Sequence, residues 1–188
     1  LTSAGFDKQS RAIDAIRKRA RTLVVFKGAE VDILEDGSLD LDDDTLGALD
    51  VVVASVHSRF NMSKTEMTRR IVRAVEHPKV HILAHPTGRL LGQREPYALD
   101  MAAIIGAARD YGVLLEVNAQ PDRLDLSDLH VRMAVEAGVK LVISTDAHRV
   151  RELDCMRYGV DQARRGWCEA KDVANTRHVA AFRKLIEK

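Results

Sequence analysis

At 188 residues, 46% hydrophobic and 30% charged, the chain has the size and composition of one soluble globular domain with a sizeable core. A net charge of +1 excludes an evenly basic nucleic-acid coat, although a local phosphate-binding rim fits within it. No apolar run approaches the length of a membrane span and no signal-peptide core is visible, so a cytoplasmic protein without a membrane partner is expected, with Cys155 and Cys168 as free thiols.

In chain order, residues 8–20 place Ala12, Ile16 and Ala20 on one stripe among Lys and Arg, the pattern of a helix. Five short β-rich apolar runs follow, at 23–26, 51–56, 80–84, 113–117 and 141–144. They are nearly continuous in Val, Ile and Leu, as parallel strands covered on both faces should be. Helix signals separate them. Ser63-Lys64-Thr65-Glu66 is a capping box ahead of Met67, Ile71, Val72 and Val75, and Pro78 closes that helix. A second helix is predicted over 99–111 with Gly112 as its left-handed cap, and a third from Ser127 to Gly138. The tail sets Val179, Phe182, Leu185 and Ile186 on one helical face. Strand and helix in alternation imply right-handed crossovers, an α/β parallel sheet and a single domain over 1–188.

The ends of the predicted strands carry the chemistry. The first run continues to Glu30, the second meets His57, the third His85 and the fourth Asn118; the fifth ends at Asp146, with His148 just beyond. Carboxyl ends of parallel strands share one face, so these residues should converge there. Singly, each has a plain structural explanation, such as a strand-end histidine, a surface glutamate or a helix-capping aspartate. Together on one rim, two carboxylates and three imidazoles suit zinc, manganese or iron better than magnesium or calcium. Arg59, Arg89 and Arg123 follow in the same loops and match phosphate oxygens in geometry, whereas Arg149 and Arg151 read as solvated charge. The acidic stretch 36–44 lacks calcium-loop spacing and reads as a turn followed by a helix cap. His81 should face away from the rim; His77, His130 and His178 should lie at the surface, and Tyr158 and Trp167 should pack.

Several of these segments, in order, resemble motifs of the PHP domain of bacterial family X DNA polymerases. They are Phe26-Lys27-Gly28-Ala29-Glu30-Val31-Asp32-Ile33-Leu34, Ala54-Ser55-Val56-His57-Ser58, and Ala84-His85-Pro86-Thr87-Gly88-Arg89. Glu116-Val117-Asn118-Ala119, Arg123-Leu124-Asp125-Leu126, Ser144-Thr145-Asp146-Ala147-His148 and the run from Met156 to Trp167 continue the match. The resemblance implies a distorted seven-stranded βα (TIM-like) PHP barrel holding up to three divalent ions (Zn, Mn or Fe). By similarity, Glu30 bridges two ions, His57 and His85 complete the shell of one, Asp146 joins Glu30 on the second, and His148 binds the third. The remaining ligands, the first two strands and a polymerase core are expected ahead of Leu1, which is no natural start.

The implied activity is a 3′→5′ exonuclease on DNA ends in a repair polymerase. Glu30, Arg59 and Arg89 would be catalytic, with Arg59, Arg89, Asn118 and Arg123 binding phosphate. The alternatives are a small-molecule phosphatase of the histidinol-phosphatase type, a non-catalytic scaffold for a polymerase, and an amidohydrolase with a similar strand-end ligand set.

Overall fold

The computed structural model describes residues 3–187. Five parallel strands lie in sequence order: β1 (Gly28–Asp32), β2 (Val51–Ser55), β3 (Ile82–Leu83), β4 (Leu114–Asn118) and β5 (Leu141–Ser144). The connecting helices are α2 (Asp43–Gly47), α3 (Lys64–Val75), α4 (Met101–Asp110) and α5 (Asp128–Glu136). The long helix α1 (Ser3–Arg19) precedes the sheet, and α6 (Met156–Arg165) and α7 (Val179–Ile186) follow it. This is the alternating α/β order the sequence predicts.

The helices begin where their side chains cap them. Ser63 and Glu66 form the reciprocal capping box of α3, Asp100 caps α4, and Ser127 caps α5. The acidic stretch resolves as expected: Asp36 closes a turn onto Ser38, and Asp42 caps α2 through the Thr45 amide at 2.8 Å.

The sheet has two unlike faces. Ala29, Val31, Val52, Ala54, Leu83, Leu115, Val117, Leu141 and Ile143 point to the helical side and form the main core. Each fully buried Leu, Ile or Val there stabilises the fold by ~1.5–3 kcal/mol. On the other face Val51, Ile82, Leu114 and Val142 meet Ala174, Phe182, Leu185 and Ile186, so α7 covers the lower half. Towards the carboxyl ends of the strands this second face turns polar, with Glu30, Asp32, Ser55, Glu116, Asn118 and Ser144 in alternate positions. The polar half of that face carries the site.

Two expectations need correction. The apolar run 23–26 is no strand: Leu23 and Val24 are exposed, and Phe26 packs edge-on against Phe182 with ring centroids 5.5 Å apart. The ladder opens only at Gly28, opposite Val51, because the strand must carry polar residues on one face and cannot read as continuous hydrophobe. Glu30 therefore lies within β1 and not at its end. The second concerns Trp167, which is expected to pack and is 74% exposed. The helix expected over residues 8–20 is present as α1; Ile16 is half exposed, Phe6 packs against the core, and Arg17 donates to the Val25 carbonyl at 2.8 Å and pairs with Asp50.

Candidate metal centre

Alternation along β1 places Glu30 and Asp32 on the polar face of the sheet. Two residues beyond β2, His57 swings its ring between them: Nδ1 lies 2.5 Å from Asp32 Oδ1 and Nε2 lies 3.4 Å from Glu30 Oε1. From beyond β3, His85 brings its Nε2 to 2.9 Å from the same Glu30 oxygen. The two imidazoles are 5.3 Å apart, centroid to centroid. Among the described residues, Glu30, His57 and His85 offer ligand atoms all within 4.8 Å of one another. One carboxylate and two imidazoles at that separation fit a borderline transition-type ion, and zinc, manganese and iron all take such donors.

The electrostatics are those of a site built around positive charge. Burial opposes ionisation of Glu30, yet hydrogen bonds from His57 and His85 outweigh it and hold the carboxyl well below the usual carboxylate range. His57 is pushed up to about 9, chiefly by its hydrogen bond to Glu30, against partial burial and with help from Asp32. At neutral pH the protonated His57 thus occupies the space between two carboxylates. His85 also sits in a left-handed conformation, φ 27°, as do Asp146 at 46° and Arg59 at 57°. Such backbone is costly for non-glycine residues and persists where the surroundings over-determine it.

A recess of about 200 Å³ adjoins the cluster, lined by Glu30, His85, Glu116, Ser144 and Asp146 together with the apolar Val53, Ile82, Ala84 and Val142. Asp146 is thus brought to the same recess from the end of β5. Its carboxylate is 3.4 Å from Asn118 Nδ2 and 3.9 Å from Arg123 Nε. Past Asp146 the recess gives way to an open cleft of about 410 Å³ lined by Leu90, Gln120, Asp122, Arg123, His148 and Arg149. Gln120 donates to the Thr145 and Asp146 carbonyls and so fixes the shared wall.

The other candidates are placed less centrally. His148 is 81% exposed, with Nδ1 2.9 Å from the Asp146 carbonyl, and stands outside the three-donor cluster. Arg59 is exposed and donates to Glu35 at 3.0 Å. Arg89 is part-buried and directs its guanidinium to the Arg123 and Leu124 carbonyls, where it braces the loop carrying Arg123.

No protein-family model matches the chain. Against curated proteins it is 46% identical over 177 residues to the DNA polymerase/3′-5′ exonuclease PolX of Bacillus subtilis (strain 168), covering 94% of this chain. This chain is homologous to PolX. It spans 31% of the length of PolX, so the match concerns one part of that larger protein. A probable phosphatase of Thermoanaerobacter sp. (strain X514) is 31% identical over 134 residues, which is 66% of this chain and 52% of that protein. A probable phosphatase of Syntrophotalea carbinolica is 28% identical over 146 residues, 73% of the chain and 58% of its own length.

Two carboxylates of this PolX homologue went unassigned from sequence. A first strand read over 23–26 hides Asp32; with β1 at Gly28–Asp32, a period of two from Glu30 finds it. Glu116 was announced by a different signal, a lone charge inside an otherwise apolar strand, and it is only 5% exposed. Its carboxylate accepts from the Ser144 hydroxyl and from the His85 amide, and burial drives its pKa upward against those bonds.

Proposed function

We propose that this chain is part of a metal-dependent phosphoesterase that hydrolyses phosphodiesters at DNA 3′ ends. We further propose that its five strands belong to a seven-stranded barrel of the PHP kind, attached to a polymerase in the parent protein. The observation that carries this reading is the convergence of Glu30, His57 and His85, from three separate strands, on one point of the polar sheet face. The homology to PolX directs it towards DNA.

In this reading Glu30, His57 and His85 would hold one ion, and Asp146 with Glu30 a second; His148 stands at the rim, where a third could be held. When bound, such ions supply a water acidified towards neutral pH and neutralise phosphoryl oxygens. The chain's own residues do the rest. Asp32 accepts from His57 Nδ1 and so turns Nε2 towards Glu30, the arrangement of a carboxylate that orients a ligating histidine. Arg123, held beside Asp146, and Asn118 offer donors to a phosphate seated over the recess. The adjoining cleft, within the size range of small-ligand pockets, would take the terminal nucleoside, with Arg149 at its mouth. Arg89 shapes that wall from behind, and Arg59 is in reach of a strand only after leaving Glu35.

The test is release of nucleotides from a 3′-labelled single strand in manganese, comparing wild type with His57→Ala and His85→Ala. Loss of a ligand should lower the rate by at least about 10–100-fold, the cost of losing even a partner behind a ligand. Undiminished nuclease activity in either variant would overturn the assignment. The probable phosphatases support a second reading, a small-molecule phosphatase. Turnover of a monoester such as histidinol phosphate, with DNA ends untouched, would select it.

A further inference from the structure

Outside the ligand set, the turn His85–Pro86–Thr87 is tied to the fold through its backbone, while His85 Nδ1 and Thr87 Oγ1 are buried without a hydrogen-bond partner. Every polar backbone group in it has a named partner. The His85 amide donates to Glu116 Oε2 at 2.6 Å, and the His85 carbonyl accepts from the Gly88 amide at 2.9 Å. The Pro86 carbonyl accepts from the Tyr97 hydroxyl at 2.9 Å. The Thr87 amide donates to Asp125 Oδ2 at 2.9 Å, and the Thr87 carbonyl accepts from the Tyr97 amide at 3.1 Å. Both amides therefore end on side-chain carboxylates, although a backbone carbonyl would satisfy an amide at far lower desolvation cost.

Those carboxylates are themselves fixed and buried. One oxygen of Glu116 takes the Ser144 hydroxyl; the other takes the His85 amide and lies 3.4 Å from Asn118 Nδ2. Asp125 is fully buried, with Oδ2 on the Thr87 amide and Oδ1 without a hydrogen-bond partner, and its backbone carbonyl accepts from the Asn118 amide at 2.5 Å. Both Glu116 oxygens are thus engaged by protein donors, and Glu116 lines the recess while standing outside the three-donor cluster of Glu30, His57 and His85. What the two carboxylates have in common is the turn between them, where His85 adopts its left-handed backbone.

We propose that Glu116 and Asp125 are positioning residues for His85: together they lock the turn so that Nε2 faces Glu30, and neither coordinates an ion. The inference rests on the metal-centre reading, and it extends that reading to two residues with no ligand role.

The experiment has two readouts on the full chain, cobalt(II) binding followed by its visible ligand-field bands and, after chelation, the 15N resonances of the His85 imidazole. Glu116→Gln and Asp125→Asn keep an oxygen for each amide, and the Ser144 hydroxyl can donate to or accept from the new amide. Both should match wild type in cobalt affinity, band shape and imidazole shifts. Glu116→Ala and Asp125→Ala should bind cobalt about 10–100-fold more weakly, the usual cost of losing a partner behind a ligand, with altered bands and a solvent-averaged ring. If the alanine variants fail to fold, Ser144→Ala, which frees one Glu116 oxygen, takes the place of Glu116→Ala with the same expectation.

Wild-type imidazole shifts in the alanine variants would overturn the proposal. So would loss of cobalt in a folded Glu116→Gln as complete as in His57→Ala, because that would make Glu116 a ligand. A wild type that binds no cobalt, yet shows the predicted imidazole pattern across the variants, would refute the metal reading and leave the positioning role standing.

Discussion

His57 lies between Glu30 and Asp32, with His85 across from it on Glu30, and that neighbourhood governs how the metal-free chain responds to pH. Its folded pKa of about 9 exceeds the ordinary value of 6.5, so the folded state binds this proton more tightly than the unfolded state. The resulting stabilisation is fully present below about pH 6.5 and is lost as pH rises through about 9. Thermal melts of the chelated protein should therefore show a falling Tm across that window, and His57→Gln should flatten this component; an unchanged slope in the variant would refute the assignment. Metal affinity should run the other way, strengthening with pH as the proton leaves. At this scale the sequence was informative for His57 and His85, which follow apolar strands directly, and for Glu30, a lone carboxylate in the segment that leads into the sheet. It was silent on which ring nitrogen of His57 faces which carboxylate, since that depends on Asp32 sharing a face with Glu30, and so on the exact start of β1. It also could not show that Arg59 and Arg89 would be taken up by Glu35 and by loop carbonyls, contacts made across the fold by residues 24 and more positions away.

One side chain on a helix reaches both of the loops that follow Asp32 and His57. Arg70 of α3 is buried and donates to the Leu34 carbonyl at 2.9 Å, to the Ser58 carbonyl at 2.9 Å and to the Ile33 carbonyl. A guanidinium is suited to this because its planar fork serves several carbonyls at once. Replacing it with the similarly long Met fills the space but strands those acceptors, at a cost of about 3 kcal/mol for buried carbonyls left unpaired. Urea denaturation of Arg70→Met should show that loss, and a ΔΔG within experimental error of zero would mean the two loops hold themselves. Helix positions were readable where local chemistry decides them, as with the capping box at Ser63 and Glu66 or the cap at Ser127. Helix α6 was less so. Gly159 within it weakens the helical pattern, and its purpose is tertiary: a Cβ there would come within 2.6 Å of Ile143 and 2.7 Å of Ala119, so only glycine lets α6 close on the sheet.

For the molecule as a whole, the site and the fold draw on the same sheet face. Its lower half is sealed by α7 against Val51, Ile82, Leu114 and Val142, while the upper half gathers Glu30, Asp32 and Glu116 around His57 and His85. An ion held by this face binds a site that the unfolded chain does not possess, so ion binding and folding should be coupled. The coupling has a definite size: a ligand held by the folded state alone, at 100 times its dissociation constant, adds about 2.7 kcal/mol of stability. For a chain of this length that corresponds to a rise in Tm of roughly 5–10 °C. Zinc or manganese added to the chelated protein should produce that rise near neutral pH, and excess chelator should reverse it. The increment should vanish in His57→Ala, because only two of the three close donors remain, and it should survive in Arg59→Ala, whose guanidinium is turned to Glu35. Equal increments in wild type and His57→Ala would mean that the ion binds elsewhere on the surface, and the convergence of Glu30, His57 and His85 would then need another explanation than a metal.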